Sequence, residues 1–103
     1  MAKFIYLYKG STPNETPEAQ EASMQAWMGW LNGLGSALTA MGDPFLRGVA
    51  VTADGTTTDI GGDGAGGWSA VEADSLERAE ALTAGCPVFA DGGTVEVYEA
   101  AVM

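Results

Sequence analysis

Between Gly67 and Glu99 the chain reads GWSAVEADSLERAEALTAGCPVFADGGTVEVYE. This spells a strand, a capped helix, a glycine turn and a second strand. Trp68 to Glu72 is short and mostly apolar, with glycines before it, as a strand requires. Asp74 stands where a helix N-cap belongs, and Glu77 follows three residues on, in the capping-box position. The helix is expected to run to about Ala84, with Leu76, Ala79, Leu82 and Thr83 along one side. Gly85 closes it in the left-handed conformation, and Pro87 keeps it from resuming. Asp91-Gly92-Gly93 is a turn. Thr94 to Tyr98 then alternates, placing Val95 and Val97 on one face and Thr94, Glu96 and Tyr98 on the other.

The first half of the chain repeats this plan. Lys3 to Tyr8 is a strand with Ile5 and Leu7 on one face and Phe4, Tyr6 and Tyr8 on the other. Neither face is polar, so both are expected to be covered, one by helices and the other by a second copy of the chain. Thr16 is a plausible N-cap with Pro17 at the first helical position. Asn14-Glu15-Thr16 spells a glycosylation sequon that is expected to be chance. From Pro17 the periodicity predicts one helix to about Met41, because Met24, Trp27, Leu31, Leu34, Leu38 and Met41 step by three and four. Gly42 would close it. Arg47 to Thr52 and Thr56 to Ile60 flank Ala53-Asp54-Gly55, a strong hairpin signal.

The order is therefore strand, helix, paired strands, strand, helix, strand in a single domain over residues 1–103. Two such halves predict an α+β, ferredoxin-like split βαβ fold, an antiparallel sheet with helices on one face. The expected division is Ile5, Leu7, Val95 and Val97 toward the helices. Tyr6, Tyr8, Tyr98 and Trp68 would then lie on a second face buried in a homodimer.

Composition narrows the function. Four basic residues stand against fourteen acidic ones, a net charge of −10. Such a chain repels phosphate backbones and anionic lipid, so neither nucleic acid nor a membrane surface is an expected partner. The absence of histidine removes the commonest general base and a common metal ligand together. One cysteine, Cys86, excludes an internal disulfide framework. With no apolar run of spanning length and no signal-peptide pattern at the start, a cytoplasmic compartment is expected.

The run Gly62 to Gly67 matches G-x-G-x-x-G in letters, but a strand rather than a helix follows it, so no phosphate cradle is expected. Asp59 and Asp63 are paired carboxylates of the kind that suit a weak calcium site, but a flexible loop without metal is the expectation. Nothing in the sequence names a cofactor.

The opening strand KFIYLY, the long helix from Pro17, the Gly66-Gly67-Trp68 strand entry, AVEADSLERAEALTAGCP and the closing ADGGTVEVYEA together resemble the YCII-related (DGPF-type) family. The resemblance implies a dimeric α+β barrel. Members of that family often carry a histidine near the first helix, paired with an aspartate. The chain has none, so the resemblance carries no His-Asp dyad to it, and the segment that names part of the family is shortened here to DIGGDGAGG.

The leading expectation is a small-molecule-binding protein with a pocket near a dimer interface. Its lining would be Tyr6, Tyr8, Trp68 and Tyr98, gated by the glycine loop, with Arg47 as the anion contact. One alternative is a lyase or isomerase in which Glu96 or Asp43 replaces histidine as base and a tyrosine serves as acid. Glu96 shares the predicted face of Tyr98 and would need a partner there, Arg47 or Lys3. The other alternative is a non-catalytic interaction module whose aromatic face is only an interface.

Overall fold

The computed structural model describes residues 1–10, 16–61 and 64–101. A four-stranded antiparallel sheet runs in the order β2-β5-β1-β6, formed by β1 (Ala2–Lys9), β2 (Leu38–Ala40), β5 (Ala65–Ala73) and β6 (Thr94–Glu99). With the separate two-stranded hairpin β3 (Val49–Val51) and β4 (Thr57–Asp59) set aside, this is the ferredoxin-like strand order. The helices are α1 (Pro17–Gly33), α2 (Leu76–Ala81) and the single turn α3 (Pro87–Ala90). Among the described residues no helix is long and apolar enough to cross a membrane.

Helix α1 starts where the sequence places it. Thr16 accepts the Ala19 N–H at 3.1 Å and Pro17 opens the first turn. It ends earlier than the apolar stripe suggests. Gly35 adopts φ +58°, a short 3-10 turn follows over Gly35–Ala37, and Leu38 already belongs to a strand. A stripe stepping by three and four residues continues by coincidence across this break. Leu38 still packs against the core, from β2, whereas Met24 and Met41 are exposed. Helix α2 also shifts by one residue: Ser75, not Asp74, accepts the Arg78 N–H, at 3.1 Å. Gly85 is left-handed as expected, yet Pro87 begins α3 instead of ending helical structure.

Strand β1 is turned over relative to the sequence reading, whereas β5 and β6 keep their assignment: Val95 and Val97 pack against the core, and Trp68 and Tyr98 lie on the other face. Phe4, Tyr6 and Tyr8 are the buried face of β1 and lie under the helices. In register they stand beside Val71, Ser69 and Gly67 of β5, and Tyr6 and Tyr8 stand beside Val97 and Val95 of β6. Ile5 and Leu7 point the other way, level with Ala70 and Trp68 of β5 and with Tyr98 and Glu96 of β6. The reason is volume and hydrogen bonding. Trp27 and Trp30 of α1 close over the tyrosines, with Tyr8 4.7 Å from Trp27 and 6.1 Å from Trp30, both edge-on. The phenols find acceptors inside: Tyr6 donates to the Ala79 carbonyl, and Tyr8 donates to Ser69 Oγ at 2.8 Å. Ser69 in turn donates to the Met41 carbonyl at 2.7 Å. A layer of tyrosines can be buried only with such partners.

After β2 the chain continues along the edge of β5. Trp68 donates its N–H to the Asp43 carbonyl at 3.2 Å, and Phe45 donates to the Gly66 carbonyl at 2.8 Å. Gly42 does not close a helix; it turns this edge segment at φ +72°. A Cβ there would stand 1.8 Å from the Trp68 carbonyl oxygen, so only glycine fits. The chain then leaves the sheet as the hairpin. Its turn is held by Asp54, which accepts from Thr52 Oγ1 and, at 2.9 Å, from the Thr56 N–H.

Candidate functional site

The residues proposed from sequence as one pocket divide between the two sides of the sheet. Tyr6 and Tyr8 are core residues beneath α1, and burial raises both phenols, Tyr6 to about 12. Trp68 is half-buried on the outer face and Tyr98 is half-exposed there. No single groove collects all four. Asp43 is exposed, and its backbone carbonyl, not its carboxylate, is engaged with Trp68.

Two arrangements do gather polar groups. The first is on the outer face at the end of the sheet where β1 finishes and β6 begins. Glu96 is partly buried there; its Oε2 lies 3.4 Å from Lys9 Nζ and its Oε1 accepts the Tyr98 hydroxyl at 2.9 Å. The partners are therefore Lys9 and Tyr98, not Arg47 or Lys3. Hydrogen bonding to Glu96 and the negative charge of that carboxylate raise the Tyr98 pKa, so this phenol is a weaker acid than an isolated tyrosine.

The second arrangement is a groove of about 340 Å³ at the same end of the sheet, between the base of the hairpin and the start of β5. Its lining includes Phe45, Leu46 and Ile60, the glycines Gly10, Gly48 and Gly66, and one cation, Arg47; Leu46 is 97% exposed. Arg47 has no carboxylate partner among the described residues. In a chain with a large excess of acid, an unpaired guanidinium beside apolar side chains is available to an anionic group from outside. The sequence reading named Arg47 as an anion contact but not the apolar residues that line the groove with it. Their signal was the exposed apolar pair Phe45-Leu46 in a segment with no helical or strand period.

Cys86 is buried at the start of α3, and burial pushes its thiol up to about 11. It is a packing residue, since a protonated buried thiol is a poor nucleophile. Of the glycine-rich run, Gly62 and Asp63 lie outside the described residues; Ala65 to Gly67 form the start of β5. The Asp59–Asp63 pairing therefore lies partly outside the described residues, as do Asn14 and Glu15 of the sequon.

The profile of the YCII-related domain matches residues 2–103. The chain belongs to the YCII-related family. Among solved structures, the YCII-related chain is similar to 5-chloro-2-hydroxyhydroquinone dehydrochlorinase (TftG) of Burkholderia phenoliruptrix, in its complex with 2,5-dihydroxybenzoquinone. The TM-score is 0.60 at 18% identity, and the match covers 98% of this chain and 95% of that one. At that identity the likeness concerns the fold, which the two chains share almost end to end. No curated protein matches the sequence.

Proposed function

We propose that this YCII-related protein binds a small organic molecule with an anionic oxygen, held in the groove at the base of the hairpin by Arg47 and flanked by Phe45, Leu46 and Ile60. The observation that carries the reading is Arg47, without a carboxylate partner among the described residues, in the lining of a groove shared with Phe45, Leu46 and Ile60 in an otherwise acidic chain. The structural relative was captured with 2,5-dihydroxybenzoquinone, a vinylogous acid that combines a flat apolar ring with charged oxygens, so this is the first compound to test. Isothermal titration with it should give binding that Arg47→Gln weakens roughly 10- to 100-fold, the range for one charge-assisted hydrogen bond. Equal binding by both proteins overturns the assignment of Arg47. Without histidine, no His-Asp dyad operates at this site.

A second copy covering the outer sheet face belongs to the same reading. Ile5, Leu7 and Trp68 form an apolar centre there, flanked by Lys3 opposite Glu72 at one end and Lys9 with Glu96 at the other. Two of the chain's four cations thus lie on one face and cancel two carboxylates. A face without net charge is where two copies of a strongly acidic chain can meet without repulsion. The compartment consistent with these small-molecule and self-association roles is the cytoplasm.

A second reading is favoured by the Lys9–Glu96–Tyr98 cluster. There Glu96 acts as base in a lyase or isomerase reaction on the same small molecule, and the unpartnered Asp43 carboxylate is the weaker candidate. A pH–rate profile of any detected activity without a carboxylate limb, or one unchanged by Glu96→Gln, removes it.

A further inference from the structure

The β3–β4 hairpin is locally well made and globally unsupported. Its strands pair in register, Val49 with Asp59, Ala50 with Thr58 and Val51 with Thr57, and Asp54 pins the turn. Every residue of both strands is exposed, with Val49 at 56% and Val51 at 66%. Among the described residues neither strand packs extensively on any element but the other. A two-stranded hairpin of this length is marginal in water without a surface to lie on, and unprotected valines on such a strand invite unwanted pairing.

The two faces of the hairpin differ. Val49, Val51, Thr57 and Asp59 share one of them. The other carries Ala50 and Thr58 and continues to Gly48 and Ile60, joined by the Ile60 N–H to the Gly48 carbonyl at 2.9 Å. Gly48 and Ile60 line the Arg47 groove, so the Ala50 side is the groove side and the valines face away from it.

The molecule as a whole has surface to spare. Its accessible area is 7003 Å², against about 5,500 Å² for a compact monomer of this mass. Its radius of gyration is 14.9 Å, against about 13 Å for a compact domain of this length. The surplus of roughly 1,500 Å² exceeds the roughly 800 Å² each partner contributes to an ordinary stable interface. Part of that surplus is the exposed hairpin itself, and covering by a second copy would remove area of this order.

We infer that the hairpin is an arm laid on a second copy of this chain through its Val49–Val51 face, which leaves the opposite face to form the wall of the Arg47 groove. Each groove is then held in shape by the partner, and ligand binding is coupled to assembly. The inference rests on the self-association proposed above and adds to it that the arm, not the sheet face alone, makes the interface.

Sedimentation velocity over a dilution series tests it, on the wild type, on Val49→Lys/Val51→Lys and on Leu7→Glu, together with amide hydrogen exchange. The wild type should sediment as a dimer whose hairpin amides are protected and lose that protection on dilution. The double valine variant should dissociate at least about tenfold more readily, with protection of β1 and β5 unchanged. A valine variant that dimerises as tightly as the wild type while Leu7→Glu dissociates overturns the arm and leaves the sheet-face dimer standing. Hairpin amides that exchange freely in the dimer overturn it equally. A wild type that is monomeric throughout overturns the arm and the self-association together.

Discussion

Tyr6 and Tyr8 carry hydroxyl groups into a layer sealed by two tryptophans, and each hydroxyl is matched to one acceptor. Burial holds the Tyr6 proton far more tightly in the folded chain than in the unfolded one, with the pKa raised from 10.0 to about 12. The stability this contributes is fully present below pH 10 and disappears as the pH rises toward 12. Urea unfolding should therefore show a steep loss of stability over that window, with phenolate absorbance of the buried tyrosines appearing together with unfolding. Tyrosines that ionise near 10 while the fold persists would refute the buried assignment. Gly42 makes a harsher test. Its positive φ and the Trp68 carbonyl behind it leave no room for a methyl group, so Gly42→Ala should cost more than about 3 kcal/mol in a denaturant titration. Neither result could be foretold from alternation alone. A period of two says that Phe4, Tyr6 and Tyr8 share a face but not which face, and both faces of β1 are apolar. The face was decided by the acceptors, Ser69 and the Ala79 carbonyl, which lie far away in sequence.

At the scale of elements, local chemistry was the most legible. Thr16 and Pro17 start α1 and Asp54-Gly55 makes the hairpin turn, both through contacts within a few residues, while the second helix ends at Ala81, short of the left-handed Gly85 expected to close it. The errors came where two neighbouring residues compete or where an element is very short. Asp74 and Ser75 can both cap a helix, and the structure uses Ser75. Ser75→Ala should consequently cost about 1 kcal/mol by thermal or chemical unfolding, and Asp74→Ala much less; the reverse order would restore the sequence reading. Strand β2 has three residues and follows a helix whose apolar stripe runs straight into it, so Leu38 was assigned its burial correctly and its element incorrectly. The groove is an element-scale feature as well. Arg47 stands out in a nearly cation-free sequence and has Phe45 and Leu46 next to it in the chain, but Ile60 is brought to it only by the hairpin.

For the whole molecule, the fold class, the helices on one face and the family were legible, because the pattern of elements admits few topologies; the edge strand β2, however, was read as the end of a helix, and the hairpin strands read as the middle pair form a sheet of their own. On the face proposed to be covered, Ile5 and Leu7 stand where the sequence reading put Tyr6 and Tyr8, beside Trp68 and Tyr98. What changes is the residues a partner would touch. Of the three tryptophans, Trp27 and Trp30 lie in the helix layer and Trp68 on the outer face, so they report separately on the two sides of the sheet. Fluorine NMR of 5-fluorotryptophan-labelled protein, comparing the wild type with Leu7→Glu, is the most direct test. The account predicts that the Trp68 resonance moves when the outer face is uncovered while those of Trp27 and Trp30 stay in place. A stationary Trp68 resonance with displaced Trp27 and Trp30 resonances would contradict it.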